Sequence, residues 1–379
     1  MGLVQQPAVA QAAVLGQYLG MSQTPIRIGI IGAGGIVKTR HLPGLAKVED
    51  CQVVAVHNRR RANAEAVAKE WKIPNVVDSA EAVYGRGDVN AVLIGTTPYL
   101  HRELTLKSLE AGKHVFCQAR MARNLAEARD MLAAARAHPK LVTMICPAPH
   151  IDPGDRFVRQ ILQRGELGDL RLVRFQHMSE ANLSADAPYH WRMDREISGH
   201  NVLTLGMFTE ILQRWIGRAR TVSATGAVFT RQRKDPETGQ MCEVKVPESV
   251  TIAGQLANGA QYQWIFTGVT AFAPGDAIEL YGTKGVLRYD VPTHKISMGR
   301  VDPGKRVRPG QPGEKAQLEP VEIPADLRGT WTVEADFARA IREGGPVYPN
   351  FDDGVAYMEF VEAVARSIAE ERVIHLPLA

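Results

Sequence analysis

The chain has 379 residues, 45% hydrophobic and 23% charged, the balance of a folded protein and a length that allows two domains with full cores. Its 45 basic and 41 acidic residues leave a net charge of +4, too even for a nucleic-acid surface, and no apolar run reaches the length of a membrane span. Four cysteines (Cys51, Cys117, Cys146 and Cys242) lie far apart without CxxC spacing, which points to reduced thiols in a cytoplasmic protein and away from a zinc or other metal site.

Residues 1–24 lack the basic n-region of a secretory signal and read as an added arm, either functionless or docked on a neighbouring subunit. The segment Met21-Ser22-Gln23-Thr24-Pro25 resembles a start just before a first strand. That strand, Ile26 to Ile31, runs into Gly32-Ala33-Gly34-Gly35-Ile36-Val37. Gly32 permits a tight turn, Gly34 and Gly35 let the backbone approach a pyrophosphate, and a helix N-terminus beyond them favours that anion. Val37 stands where a GxGxxG motif often has its third glycine, so the match is partial, and a glycine turn without a ligand is the competing reading.

A helix is expected through 41–48 and a second apolar strand over 52–56. His57-Asn58-Arg59-Arg60-Arg61 follows, with Asn58 at the position where dinucleotide folds place an acidic residue on the ribose. A carboxylate would repel a 2′-phosphate; Asn58 with Arg59 behind it would not, so the balance favours NADP over NAD. The bland reading of the arginines is a solvated helix start. Further strands are expected over 91–95, 114–117 and 141–146, with helices over 62–71 and 124–137 and, after Thr96-Thr97-Pro98-Tyr99-Leu100-His101, one that runs to Ala111. That alternation predicts a doubly wound α/β domain over 25–147.

From 148 to 379 the pattern changes. A helix over 155–164 precedes an alternating, half-exposed strand over 170–177 and a buried helix over 201–215. Strands over 221–230, 249–256, 261–267, 277–281 and 286–289 follow at hairpin spacing, with Asn258-Gly259 as a turn, and predict a mainly antiparallel sheet. A Pro-, Gly- and Lys-rich surface loop is expected over 301–315, and helices over 333–343 and 354–371 close the chain.

In order along the chain, Gly32-Ala33-Gly34-Gly35-Ile36, Thr97-Pro98-Tyr99-Leu100-His101, Glu110-Ala111-Gly112-Lys113-His114-Val115, Gly165-Glu166-Leu167-Gly168, Gly282-Thr283-Lys284-Gly285 and Asp353-Gly354-Val355-Ala356 resemble the Gfo/Idh/MocA family. The resemblance implies an N-terminal Rossmann domain and a C-terminal α/β domain whose large open sheet makes a homodimer or homotetramer. It implies an NAD(P)-dependent oxidoreductase acting on a sugar or polyol, with Gly32, Gly34, Gly35 and Ile36 at the pyrophosphate, Asn58 and Arg59 at the adenosine ribose, and Thr96, Thr97, Pro98, His101 and Gln118 along the nucleotide.

The sequence also departs from that family. Where the resemblance implies Glu-Lys-Pro, with the lysine near the nicotinamide, stands Gln118-Ala119-Arg120. The positions implied for Asp and for His or Tyr on the following helix are Thr204 and Phe208. None of the three replacements titrates near neutral pH. The acid/base work then falls to His200 or His190, with Arg120 holding a carboxylate or hydroxyl oxygen and Gln118, Tyr189, Trp191, Arg192, Asn201 and Thr204 lining the substrate. For each histidine a structural role competes, and for Asn201 helix capping is the expected single role. Two other functions fit the same departures: a lyase or glycoside-cleaving enzyme working by transient oxidation, and a non-catalytic sensor of nucleotide and sugar.

Overall fold

The computed structural model describes residues 25–148, 153–301 and 318–378. The N-terminal arm, and all of the 301–315 loop after Val301, lie outside these residues. In the first half, β1 (Ile26–Ile31) leads through a π-helical turn (Val37–His41) into the short α1 (Leu42–Leu45). Then come β2 (Cys51–His57), α2 (Arg61–Trp71), β3 (Asn75–Val76), α3 (Glu81–Tyr84), β4 (Ala91–Ile94), α4 (Pro98–Glu110), β5 (His114–Cys117), α5 (Leu125–Ala137) and β6 (Thr143–Ile145). All six strands are parallel, in the order β3-β2-β1-β4-β5-β6, the doubly wound arrangement of a Rossmann domain.

Strands buried on both faces need apolar residues at every position, and β4 shows the result: Ala91 and Leu93 join one core cluster, Val92 and Ile94 the other. The helix expected over 41–48 is instead the π turn followed by α1, which ends at Leu45. Pro43 sits inside its first turn, where the missing N–H costs nothing.

In the second half, α6 (Asp155–Gln163) is followed by β7 (Leu170–Met178), a 3₁₀ turn (Trp191–Met193), α7 (Arg195–Ser198) and α8 (Leu205–Ile216). The rest is β8 (Ala219–Ala227), β9 (Gln232–Lys234), β10 (Met241–Glu243), β11 (Ser249–Leu256), β12 (Gln261–Thr267), β13 (Ala277–Gly282), β14 (Gly285–Asp290), β15 (Lys295–Arg300), β16 (Glu319–Val321), α9 (Val333–Glu343), α10 (Phe351–Glu370) and β17 (Ile374–His375). Nine strands form one sheet, antiparallel except where β12 runs parallel to β7, and β9 pairs with β10 as a separate hairpin. Asn258-Gly259 makes the expected turn between β11 and β12, with Gly259 at φ +86°.

Two differences from the sequence reading bear on the site. The helix expected from residue 201 begins at Leu205, because Leu203 takes φ +44° and breaks the helical path although the apolar pattern continues through it. The late helix α9 packs Val333, Phe337 and Ala338 into the core cluster of β1, β4 and Phe116, so a C-terminal element completes the Rossmann face.

Candidate active site

The ends of β1, β4 and β5 lie side by side, the edge at which doubly wound sheets take ligands. Gly32 has φ +88°, and a Cβ there would stand 2.8 Å from Thr96 N. A Cβ on Gly95 would stand 2.2 Å from Gly32 O and 2.5 Å from Val37 Cγ2. Close approach of helix to strand, the task of a third glycine, is thus met from the opposite side by Gly95, which leaves room for a fully buried Val37. Beyond the turn, Gly34, Gly35 and Ile36 are exposed, and nothing lies within 4 Å of a Cβ on Gly35. This cradle fits a dinucleotide pyrophosphate.

Asn58 Oδ1 accepts from Ala33 N–H at 2.7 Å, tying the end of β2 to the glycine turn. Its amide group adds donor capacity where a carboxylate would add negative charge. Of the arginines that follow, Arg60 pairs with Glu237 at 2.6 Å and Arg61 with Glu65 and Asp78, while Arg59 is exposed and has no ion-pair partner among the described residues.

Gln118 leaves the end of β5 almost buried, and its amide Nε2 meets His41 Nε2. The other face of that imidazole, Nδ1, lies 2.6 Å from Glu334 Oε1, and Trp331 Nε1 donates to the same carboxylate at 2.9 Å. With Nδ1–H given to the carboxylate, Nε2 accepts from the Gln118 amide, and the Gln118 carbonyl oxygen is the end left for other partners. His41, Glu334 and Trp331 escaped the sequence reading; the only signal was a histidine inside an apolar segment beside the glycine turn.

His101 joins the two turns that follow β4 and β5. It is fully buried, with Nδ1 at 3.0 Å from Arg120 O and 3.2 Å from Met121 O, and Nε2 at 3.1 Å from Thr96 O. Burial lowers its pKa below the ordinary histidine value. It ties the post-β4 and post-β5 turns together through these carbonyls. Thr97 N-caps α4 in an extended conformation and Pro98 occupies its first turn. Thr96 Oγ1 is buried without a hydrogen-bond partner. The Ala119–Arg120 peptide is cis, and the Arg120 side chain is 4% exposed.

The structure separates the two candidate histidines. His200 Nδ1 lies 3.0 Å from Glu362 Oε2 on α10, and its N–H donates to Arg123 O at 2.8 Å. Glu362 stands five positions beyond Tyr357, about 140° around the helix at 100° per residue, whereas Tyr357 is the α10 residue that meets Arg120's neighbour Met121. The contact with Glu362 ties the His200 ring to α10, which supports a structural role for it. Asn201 is no cap: Thr204 is the N-cap of α8, and Asn201 Nδ2 donates to Ala122 O at 2.9 Å and Ser198 O at 2.7 Å. Asn201 Oδ1 and Thr204 Oγ1 have no hydrogen-bond partner.

His190 is exposed, stacks on Trp191, and faces two donors of Arg192, the backbone N–H at Nδ1 (3.3 Å) and Nη1 at Nε2 (3.4 Å). Partial desolvation of the ring and then the Arg192 charge lower its pKa below the ordinary histidine value. Arg192 lies over the Trp191 ring at 4.4 Å. Tyr189 has its hydroxyl pKa pushed up to about 12, by burial first and then by Asp194, and stays a donor. This segment is positioned by Arg233, another residue the sequence reading passed over: its guanidinium donates to the carbonyls of Asn182 (2.7 Å), Ser184 (2.7 Å) and Ala187 (3.1 Å). Among the described residues, no cluster of three His, Cys, Asp or Glu side chains forms a metal site, and no helix is long and apolar enough to cross a membrane.

Comparison with known proteins agrees with this architecture. Residues 26–145 match the oxidoreductase family with an NAD-binding Rossmann fold, and residues 156–288 match the GFO/IDH/MocA C-terminal domain. The chain is 31% identical over 267 residues to trans-1,2-dihydrobenzene-1,2-diol dehydrogenase of Bos taurus, covering 69% of this chain and 73% of that protein. It is 24% identical over 391 residues to levoglucosan dehydrogenase of Pseudarthrobacter phenanthrenivorans, covering 93% of this chain and 98% of that protein. The solved structure of a levoglucosan dehydrogenase in complex with NADH and L-sorbose shares the fold, with a TM-score of 0.80 at 20% identity over 93% of this chain and 99% of that one. The chain belongs to the Gfo/Idh/MocA family of oxidoreductases with an NAD-binding Rossmann fold.

Proposed function

We propose that this protein is an NAD(P)-dependent dehydrogenase that moves a hydride to or from one carbinol carbon of a sugar or polyol derivative. The observation that carries the reading is the bare backbone of Gly34, Gly35 and Ile36 beyond the Gly32 turn, beside the ends of β4 and β5. A nicotinamide dinucleotide held there supplies the hydride acceptor or donor.

The chain's own residues supply the rest. Gly32 and Gly95 keep the turn tight, and Asn58 fixes it to β2. Arg59, free of ion pairs among the described residues, would meet a 2′-phosphate, which supports NADP over NAD. Gln118, oriented by His41 and Glu334, offers a carbonyl oxygen beside the reacting carbon. Alanine at position 119 cannot take the hydroxyl proton, so that task is given to His190, whose pKa is lowered by partial desolvation and by Arg192. Tyr189, Trp191, Arg192 and Thr204 contribute donors and apolar surface. The half-open face of the large sheet, with Arg174, Gln263 and Glu279 alternating outward, would join two or four copies.

Titrating NADH and NADPH by fluorescence, then following absorbance at the nicotinamide band with sugars and polyols, tests the reading. Binding with net absorbance change supports a dehydrogenase. Product without net change replaces it by transient oxidation, and binding without turnover across a broad panel replaces it by a sensor. Failure of both nucleotides to bind refutes it.

A further inference from the structure

Among the described residues, Arg120 is a buried cation with no counter-ion. It is 4% exposed, its Nε has no hydrogen-bond partner, and among the described residues no carboxylate bonds its guanidinium. Its stem lies along α8: a Cβ on Gly206 would come within 3.2 Å of Arg120 Cγ and 3.3 Å of its Cδ. Burial, and then the like charge of Arg192, lower its pKa to about 10, so it is still charged at neutral pH. A charge taken out of water without a partner opposes folding. An apolar side chain of similar length would fill the same space without that penalty.

Three of the other buried polar atoms without a partner stand on segments joined to this turn. Thr96 Oγ1, Asn201 Oδ1 and Thr204 Oγ1 lack partners. Thr96 is tied to Arg120 and Met121 through His101, Asn201 to Ala122 by a hydrogen bond, and Thr204 occupies the N-cap position of the helix that carries Gly206 without a side-chain capping bond. A neutral sugar would satisfy hydroxyls but leave the guanidinium unpaired. The fork of Nε and Nη fits two oxygens of one oxyanion.

We infer that the substrate is an anion, a polyhydroxy compound whose carboxylate or phosphate ester is received by Arg120, with Arg192 as the second positive group. The inference rests on the dehydrogenase reading and narrows its substrate class. It also gives Arg192 a second role, as the positive group that pairs with the anion while its backbone N–H holds the His190 ring at Nδ1.

The test compares the wild-type protein with Arg120→Met, by thermal unfolding and calorimetry, with acetate, inorganic phosphate, D-gluconate, D-glucose 6-phosphate and neutral D-glucose at matched ionic strength. At least one anion should raise the wild-type midpoint and bind at least tenfold more tightly than glucose; whether it is a carboxylate or a phosphate identifies the source. Arg120→Met should lose that affinity at least tenfold, keep NADH affinity within about twofold, and unfold at a higher temperature than wild type when free of ligand. A merely structural arginine would give the opposite stability change. The inference is overturned if no anion stabilises wild type more than the variant, if glucose binds as well as the anions, or if the variant loses NADH instead. Should Arg120→Met fail to fold, Arg120→Lys and the wild-type anion-against-glucose comparison decide it. Nucleotide binding is measured separately, so loss of the dehydrogenase reading and loss of the anion preference give different results.

Discussion

Arg233 and Glu248 form an ion pair, Nη2 to Oε1 at 2.7 Å, with the two side chains 0% and 1% exposed. Arg233 Nη1 and Nη2 also donate to three carbonyls of the 182–187 segment, its Nε alone being without a partner, and Glu248 Oε2 accepts from Phe229 and Thr230 N–H at 2.8 Å. Removing either partner strands a charge away from water. Arg233→Ala or Glu248→Ala should each lose about 3–5 kcal/mol in denaturant unfolding. Because Arg233 anchors the stretch leading to His190, turnover should fall further than nucleotide affinity. A loss below about 1 kcal/mol would show that water reaches the pair.

The His41–Glu334 contact supports the site from the opposite side. A Cβ on Gly44 would stand 2.3 Å from Glu334 Oε2, so the absence of a side chain there makes room for the carboxylate. Glu334→Ala leaves His41 and the Trp331 indole N–H without their acceptor, and should cost about 1–3 kcal/mol. Glu334→Gln keeps an acceptor and should cost less. Equal losses for the two variants, measured in one denaturant series, would mean that volume rather than hydrogen bonding is the role of Glu334.

How far the sequence could be read follows from the range of each interaction. The parallel strands were legible because burial on both faces demands continuous apolar runs, as in Ala91–Ile94. Gly32 was legible because a positive φ after a strand favours glycine. His41 and Glu334 are 293 positions apart, and no local pattern links them. The resemblance placed His101 along the nucleotide, and nothing local revealed the carbonyls of Thr96, Arg120 and Met121 around it. The early helix start at residue 201 failed because Val202 and Leu203 continue an apolar pattern that reports burial, whereas the left-handed backbone of Leu203 decides where the helix begins. The losses at the family lysine position were visible in the sequence, but the isolation of the Arg120 charge was not.

Arg59 gives the cofactor prediction. Arg60 and Arg61 are held by Glu237, Glu65 and Asp78, and Arg59 is the neighbour without an ion pair among the described residues. Arg59→Ala should weaken NADPH about tenfold or more, the scale of one charge-assisted phosphate contact. NADH affinity should stay within about twofold, measured by fluorescence titration in low salt. An equal effect on both nucleotides would remove the preference for NADP.

His200 and Glu362 predict an acid-range signature that has nothing to do with catalysis. The Glu362 carboxyl is lowered from 4.5 to about 2, chiefly by its hydrogen bond with His200 and with Arg366 contributing, against burial, which raises it. A folded-state pKa below the unfolded one means that the ionised carboxylate stabilises the fold above about pH 4.5. That contribution is lost as pH falls towards about 2, where both states are protonated. A shift of this size corresponds to at most about 3 kcal/mol. Glu362→Gln should therefore be less stable than wild type at pH 6, with the gap closing between about pH 4.5 and 2, followed by urea unfolding across that range. Its turnover at pH 7 should remain within about threefold of wild type, since the His200 ring is tied to α10 rather than to Arg120. A gap independent of pH would dismiss the ion pair, and a loss of turnover near a hundredfold would return His200 to the catalytic machinery.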